Sequence, residues 1–355
     1  MITEYDQIIN QIDKINPIKY SSDRNFIDGS VSKLSPYISR GVISTRQVLN
    51  HLLDKGFETS QMQKFIQELS WRDYWQRIWQ EKDIDVNIKH DQENVFHKGI
   101  SKNILDANTS IVSIDKAINE LYNTGYMHNH LRMYVAALAT NIAKSEWKIP
   151  AQWMYYHLLD GDWASNALSW QWVCGANSNK RYIANQENIN RYTYSAQQNT
   201  FLDTSYECIM DMDIPARLTT MSKEVRITPL PTSDIFEIDY KKPICIYNYY
   251  NLDPKWRLEF DANRILLIEP SIFEKYPIGQ KSINFMLSLA KNIKSINIFV
   301  GEFHELKIIN ADVYFKEHPL NYNYKGIEDS RDWMSSVKGY YPSFFNFWKK
   351  VKKEL

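Results

Sequence analysis

Cysteine is scarce in this chain. Its 355 residues include three, Cys174, Cys208 and Cys245. They are odd in number and scattered, which argues against a disulfide framework and for a reducing, cytoplasmic setting. Three thiolates cannot supply the four ligands of an iron–sulfur cluster. Neither a CxxC pair nor an HExxH motif occurs, so no zinc or other metal site is expected. An excess of one charge is missing too: Lys+Arg and Asp+Glu each number 42. Net charge therefore does not announce a nucleic-acid partner, which would need a local basic patch. No apolar run is long enough to span a bilayer. The first residues, Met1 to Gln7, lack the basic start and apolar core of a signal peptide. There is no internal repeat and no low-complexity tract. These absences leave a soluble protein without a membrane partner, expected to act as a monomer.

What is present is an aromatic core. The apolar fraction is 44%, with 11 Trp and 23 Tyr, and the length suits one large domain or two ordinary ones. The chain is organised around Tyr126 to Trp172. This stretch opens Met127-His128-Asn129-His130-Leu131-Arg132-Met133 and runs through an apolar helix to Trp147. It closes on Asp160-Gly161-Asp162-Trp163-Ala164-Ser165-Asn166, then Trp170-Gln171-Trp172. A helix apolar nearly all round should be buried. Buried His, Asn and Arg must find partners there. Gly161 would relax the turn between Asp160 and Asp162. The stretch implies a buried polar pocket walled by tryptophans, suited to a large flat cofactor.

Taken in order, residues 1 to 16 carry an amphipathic helical face that Pro17 should stop. A loop follows from Tyr20, with Ser30-Val31-Ser32-Lys33-Leu34-Ser35 before a Pro-led helix. Clustered amides and hydroxyls of this kind can hold phosphate oxygens, but alone the loop reads as ordinary helix capping. Phe65 to Gln80 reads as a helix on which Glu68, Trp71, Arg72 and Trp75 share one face. Such a face could hold a base by stacking and hydrogen bonds, or be a core stripe with an internal ion pair. Residues 81 to 108 read as a long polar surface connection. Four prolines across 212 to 243 mark an interdomain connection. Beyond it, Ile244–Tyr247, Arg264–Ile268, Ile296–Val300 and Val313–Phe315 read as strands. With a helix over Lys281–Asn292, they indicate a parallel α/β sheet. Phe344 to Lys350, aromatic then basic, reads as a docking helix with a solvated end rather than a nucleic-acid tail.

The ordered set of motifs over residues 18 to 195 resembles the flavin-binding domain of the photolyase and cryptochrome family. Gly-Ser-Val-Ser-Lys-Leu-Ser-Pro-Tyr resembles its flavin-diphosphate loop. Glu-Leu-Ser-Trp-Arg-Asp-Tyr resembles its Glu-Leu-x-Trp-Arg-Glu-Phe helix. Met-His-Asn-His-Leu-Arg-Met resembles Met-His-Asn-Arg-x-Arg-Met. Leu-Leu-Asp-Gly-Asp-Trp-Ala-Ser-Asn, followed by Trp-Gln-Trp, resembles Leu-x-Asp-Gly-Asp-x-Ala-x-Asn and its sequel.

The resemblance implies a mostly α fold. Residues 1–212 would form a helical FAD-binding domain, 213–243 a linker, and 244–355 a smaller Rossmann-like α/β domain. It implies FAD as cofactor, with a second antenna chromophore possible. Tyr20 and Val31, Ser32, Lys33, Leu34 and Ser35 would line the diphosphate and ribityl chain. Arg132 would pair with Asp160 beside the ring system, next to Gly161, with Asp162 against its polar face and Asn166 facing N5. Phe65, Arg72 and Asn129 complete the implied cofactor set. Trp170 and Trp147 match the first two members of the family's electron-transfer chain. No Trp occupies its third place, near Asn94.

On the substrate side the resemblance implies UV-damaged DNA. Glu68 would bond a thymine edge, and Trp71 and Trp172 would clamp a flipped dimer. Asn129 and Met133 would touch the dimer, while Arg72, His130, Lys180 and Arg181 would lie toward phosphate. Asn at 166 and Met127 to Asn129 favour cyclobutane pyrimidine dimer repair by a photolyase. A cryptochrome-type photoreceptor without repair, or six-four photoproduct repair, are the alternatives. Phe65, Val31 and His130 depart from the family's usual Trp, Thr and Arg. The antenna-type α/β domain, which in the family precedes the flavin domain, is here expected moved to the C-terminal side, with an unrelated α/β cap as the alternative.

Overall fold

Ile244–Tyr247 is apolar at every position, and all four residues are buried. A strand buried on both faces belongs at the centre of a covered parallel sheet. In the computed structural model, which describes residues 1–308 and 311–355, this strand (β1) is the middle of five. The others are β2 (Asn263–Ile268), β3 (Ile296–Val300), β4 (Val313–Lys316) and β5 (Ile327–Asp329). All pair in parallel, in the order β3-β2-β1-β4-β5. Ile246 lies between Ile265 and Phe315, which aligns the apolar rows of three strands. This is a doubly wound order, reversing between β1 and β4. The sequence did not reveal β5: it is a three-residue edge strand with Ile327 and Glu328 exposed, so no apolar alternation marks it.

In such sheets ligands lie outside the carboxyl ends of the strands, at the reversal. Here that place is filled by the chain itself. Tyr250 stacks on His318 with ring centres 4.1 Å apart, and Trp79 meets both edge-on. The Arg40 guanidinium lies 3.3 Å over the Tyr249 ring. All five side chains are buried.

The chain divides into two compact units. One holds Met1–Ser21, Val31–Glu81 and Ile227–Leu355, and so contains the sheet. The other holds Ser22–Ser30 and Lys82–Arg226. This division differs from the expected 213–243 boundary. Residues 31–81 associate with the sheet, and Met221–Ser222 pairs with Ile100–Ser101 in the second unit. Prolines mark where regular structure breaks, not which contacts the flanking residues make.

In the first unit the helix Gln63–Glu81 receives the C-terminal helix Phe344–Val351. Phe344, Phe347, Trp348 and Val351 are buried, as a docking helix requires. Pro17 does not simply end the first helix, Tyr5–Ile12. It opens another, Pro17–Asp23, where its missing N–H is no loss. Tyr20 is therefore helical rather than in a loop.

The second unit is helical. Asn129–Ala137 packs against Trp163–Cys174, which packs on Lys148–His157. Asn129–Ala137 widens into a π-helical turn, Leu138–Ile142. There the Asn141 amide donates to Val173 and Tyr182 carbonyls at 3.0 and 2.7 Å. Residues 82–108 are more than the surface connection read from their polarity. Gln171, fully buried, donates to Ile84 and Val86 carbonyls and accepts from the Ile88 N–H. A helical unit followed by a parallel α/β sheet is the fold class that the sequence implied. The three cysteines are free thiols, and among the described residues no helix is long and apolar enough to cross a membrane.

Candidate functional site

The second unit assembles one set of candidate residues. Arg132, on Asn129–Ala137, donates to Asp160 at 3.0 Å while its Nε donates to the Met127 carbonyl at 2.8 Å. Asp160 is buried and Arg132 about one-fifth exposed. Asp162 caps the helix Trp163–Cys174, accepting from the Ser165 N–H and hydroxyl. One turn on, the Asn166 amide donates to the Ala151 carbonyl at 2.8 Å, which fixes its plane. Gly161 is needed for space, not for the relaxed turn expected. It has no positive φ, but a Cβ there would lie 3.1 Å from two carbonyl oxygens, those of Leu158 and Tyr155.

Exposure differs among these residues, though not strictly by expected role: Asn129, placed in both the cofactor and the DNA set, is exposed. Asp160, Asp162 and Asn166, assigned to the cofactor, are buried. Asn129 and Lys180, assigned to DNA, are exposed, and Trp172 is 36% exposed; Met133 and Arg181 are half-buried. Trp172 leans on Tyr182 at 5.9 Å, which holds its ring at the surface.

His130 differs from its expected role as a phosphate contact. Its ring stacks on Tyr192 at 4.5 Å and against Tyr134 at 4.8 Å. Burial, then nearby His128 and Arg24, lower its pKa to about 4. It offers a ring, not a charge. His128 is also lowered, by burial and the Arg132 guanidinium, and its Nδ1 accepts from the His130 N–H. Both folded-state values lie below the unfolded value near 6.5. The unfolded chain therefore takes up protons first as pH falls, and stability is lost from about pH 6.5 downward toward 4. Urea unfolding at pH 7 and pH 5 should show a loss on the order of 2 kcal/mol from His130. A His130→Phe variant, which keeps the stack, should lose much of that pH dependence; an unchanged dependence would refute the assignment.

Trp147 and Trp170 are both buried. The Trp147 indole donates to Asn87 at 2.8 Å, and its ring lies 6.5 Å from that of Trp163. Trp163 donates to Asp85 at 2.9 Å and meets Tyr155 edge-on at 5.4 Å. Asn87 and Asp85 lie in no motif, and Trp163 is marked only by its place within one. A buried indole N–H requires an acceptor, but only the tertiary structure says which.

The first unit carries the other candidates. Tyr20 meets Phe65 edge-on at 5.1 Å. Leu34 buries its side chain, so this residue presents only backbone outward, while Lys33 is exposed. Lys33 is left-handed at φ 54° and Leu34 right-handed, an alternation of the kind that can turn successive N–H groups toward an anion, although the Leu34 N–H donates to the Ser32 hydroxyl at 3.4 Å. Arg72 donates to the Ser35 carbonyl at 3.2 Å and to the Ser39 hydroxyl. Its Nε–H is buried without an acceptor. Glu68 and Trp71 are half-buried on the same helix. Trp71 is not bare: Phe344 stacks on it at 3.8 Å and 10°, and Trp75 leans on it at 4.7 Å. Nothing in the sequence links Phe344 to Trp71, since the pair is brought together by the docking helix.

Comparison with known proteins adds to this geometry. Residues 65–244 match the family described as the FAD binding domain of DNA photolyase. The deoxyribodipyrimidine photo-lyase of Alkalihalophilus pseudofirmus is 26% identical over 248 residues, covering 58% of this chain and 50% of the relative. That of Vibrio cholerae is 32% identical over 153 residues, covering 40% of this chain and 32% of the relative. The chain thus spans half or less of the length of these relatives. A solved bacterial class III photolyase from Agrobacterium tumefaciens is similar at a TM-score of 0.44 and 25% identity, over 53% of this chain and 42% of that one.

Proposed function

This chain belongs to the family of the FAD binding domain of DNA photolyase, with FAD as its cofactor, and from that premise we propose that it repairs cyclobutane pyrimidine dimers in DNA under blue light. The observation that carries the reading is the Arg132–Asp160 pair at 3.0 Å, with the Asn166 amide plane fixed by Ala151. A buried pair of this kind holds geometry more reliably than it adds stability.

The residues present fit FAD. In the first unit, the alternation at Lys33 and Leu34 and the acceptor-less Arg72 Nε–H suit phosphate oxygens. In the second, Arg132, Asp160 and Asn166 suit the polar edge of a flavin ring. When bound, FAD supplies the light absorption and the one-electron chemistry that no side chain offers. The chain's own residues orient and exclude. Buried Trp147, Trp163 and Trp170 keep water from their surroundings and offer indoles for electron transfer. Glu68 would hold a thymine edge by a hydrogen bond and stabilise charge arriving on the dimer. Asn129, Met133 and Trp172 are the side chains of the second unit we assign to the lesion, and an already damaged pair flips at lower unstacking cost. The doubly wound order supports reading the sheet as an antenna-like domain. Its crevice is filled by Tyr250 and His318, so we assign no second chromophore to that place.

One observation favours a second reading, a photoreceptor without repair: Phe344 already covers a face of Trp71. The two are separated by irradiating reduced protein with an oligonucleotide holding one cyclobutane dimer. Repair predicts light-dependent loss of the dimer; photoreduction with no dimer loss rejects it. A Glu68→Gln protein should repair about tenfold or more slowly with undiminished FAD content, because one charge-assisted hydrogen bond is lost. Equal rates would remove Glu68 from this role.

A further inference from the structure

We propose that the C-terminal helix is a DNA-backbone contact, with Lys349, Lys350, Lys352 and Lys353 binding phosphates and Phe345 stacking on a base. The proposal rests on the reading above that DNA is the substrate, and it departs from the sequence expectation that the basic end of this helix is merely solvated. Position comes first. Phe344 lies flat on Trp71 at 3.8 Å, and Phe347, Trp348 and Val351 are buried, so the helix is anchored beside that tryptophan. Its other side is bare. Phe345 is 63% exposed, and the four lysines are exposed. Phe345, Lys349 and Lys352 fall at i, i+4 and i+7 and share a face.

No ion pair holds this charge among the described residues. Glu354, the acidic residue next to the run, turns back, and its two oxygens accept from the Ser336 N–H and hydroxyl, each at 2.7 Å. Among the described residues, none of the four lysines forms an ion pair. One or two cations in a last turn would satisfy the helix dipole. Four, beside an exposed phenyl ring and in a chain of zero net charge, form the local basic patch that DNA binding requires. A lipid surface suits the helix less well, because its apolar face is already buried against Gln63–Glu81. Stacking on exposed aromatics and phosphate contact by lysine are how proteins hold DNA without reading sequence.

The test is a salt titration of binding to a 20-base-pair duplex, with and without one cyclobutane dimer. The full-length protein is compared with a K349Q/K350Q/K352Q/K353Q variant and, separately, Phe345→Ala. All five positions are exposed, and an unchanged thermal midpoint establishes that each variant folds. The quadruple variant should bind both duplexes at least tenfold more weakly at 100 mM salt. Its log–log salt slope should be shallower by about 2 to 4, since each phosphate contact contributes about 0.9. Phe345→Ala should weaken binding severalfold and leave the slope unchanged. A quadruple variant with the wild-type slope overturns the proposal. So does a variant that loses binding to anionic phosphatidylserine vesicles while keeping its DNA affinity. Dimer repair is measured in parallel. If repair is absent but the slope changes, the repair reading fails and the contact stands; if repair occurs and the slope is unchanged, the contact fails alone.

Discussion

Replacing Asp160 with alanine should yield protein purified almost without flavin absorbance. Asp160 is buried and holds the Arg132 guanidinium at 3.0 Å, while the Met127 carbonyl holds the other end of that group. Removing the carboxylate strands a largely buried cation. Stranding a fully buried one costs about 3–5 kcal/mol. Arg132 keeps one-fifth of its side chain in water, so a loss of about 2–3 kcal/mol is the better expectation. Any part of it borne by the bound state weakens FAD binding by about tenfold per 1.4 kcal/mol. Asp160→Asn keeps the shape and an acceptor, and should retain more flavin than Asp160→Ala. The ratio of flavin to protein absorbance after gel filtration reads the effect directly. A full flavin complement in Asp160→Ala would refute the role given to this pair.

The second large effect is expected at Asp73, next to Arg72 on the helix Gln63–Glu81. Its carboxylate accepts from the Thr45 hydroxyl at 3.0 and 3.1 Å and from the Met334 N–H at 2.9 Å. Burial raises its pKa, and the Met334 and Thr45 hydrogen bonds, then Arg331 and Arg77, oppose the rise. The group thus ties the helix Gln63–Glu81 to a segment some 260 residues later. Asp73→Ala leaves two buried donors without an acceptor and opens a void, a loss of about 3–5 kcal/mol. Asp73→Asn keeps an acceptor and removes the buried charge, so its loss should stay below about 2 kcal/mol. Urea unfolding followed by tryptophan fluorescence distinguishes them. Equal losses would show that charge, not hydrogen-bond acceptance, is what Asp73 contributes.

These two residues were not equally legible. Asp160 sits in a motif two residues before the helix cap Asp162, and the resemblance implied its pairing with Arg132. Asp73 stood in a motif too, but its partners Thr45 and Met334 carry no signature that points to it. The same contrast runs through the aromatic residues. From its neighbours on one helix Trp71 could be a base-holding ring or core packing, and the resemblance alone implied a clamp. That Phe344 covers it came only from the docking of a helix at the other end of the chain. His130 was expected toward phosphate, in place of the family's Arg, whereas Tyr192 and Tyr134 hold it as a half-buried ring in an aromatic cluster.

By itself the sequence determined the core of the helix Gln63–Glu81, four of the five strands, and the order of the motifs that hold flavin-type residues. Those properties follow from side-chain period and backbone chemistry within a dozen residues, so a local pattern suffices. The tertiary structure decided that residues 31–81 belong with the sheet, that residues 84–88 supply acceptors and a donor for Trp163, Trp147 and Gln171, and that Phe344 lies on Trp71. Each is a choice of partner between segments distant in the chain. An indole N–H or an aromatic face needs some partner once buried, but its identity is fixed by which surfaces pack, and packing is a property of the whole fold.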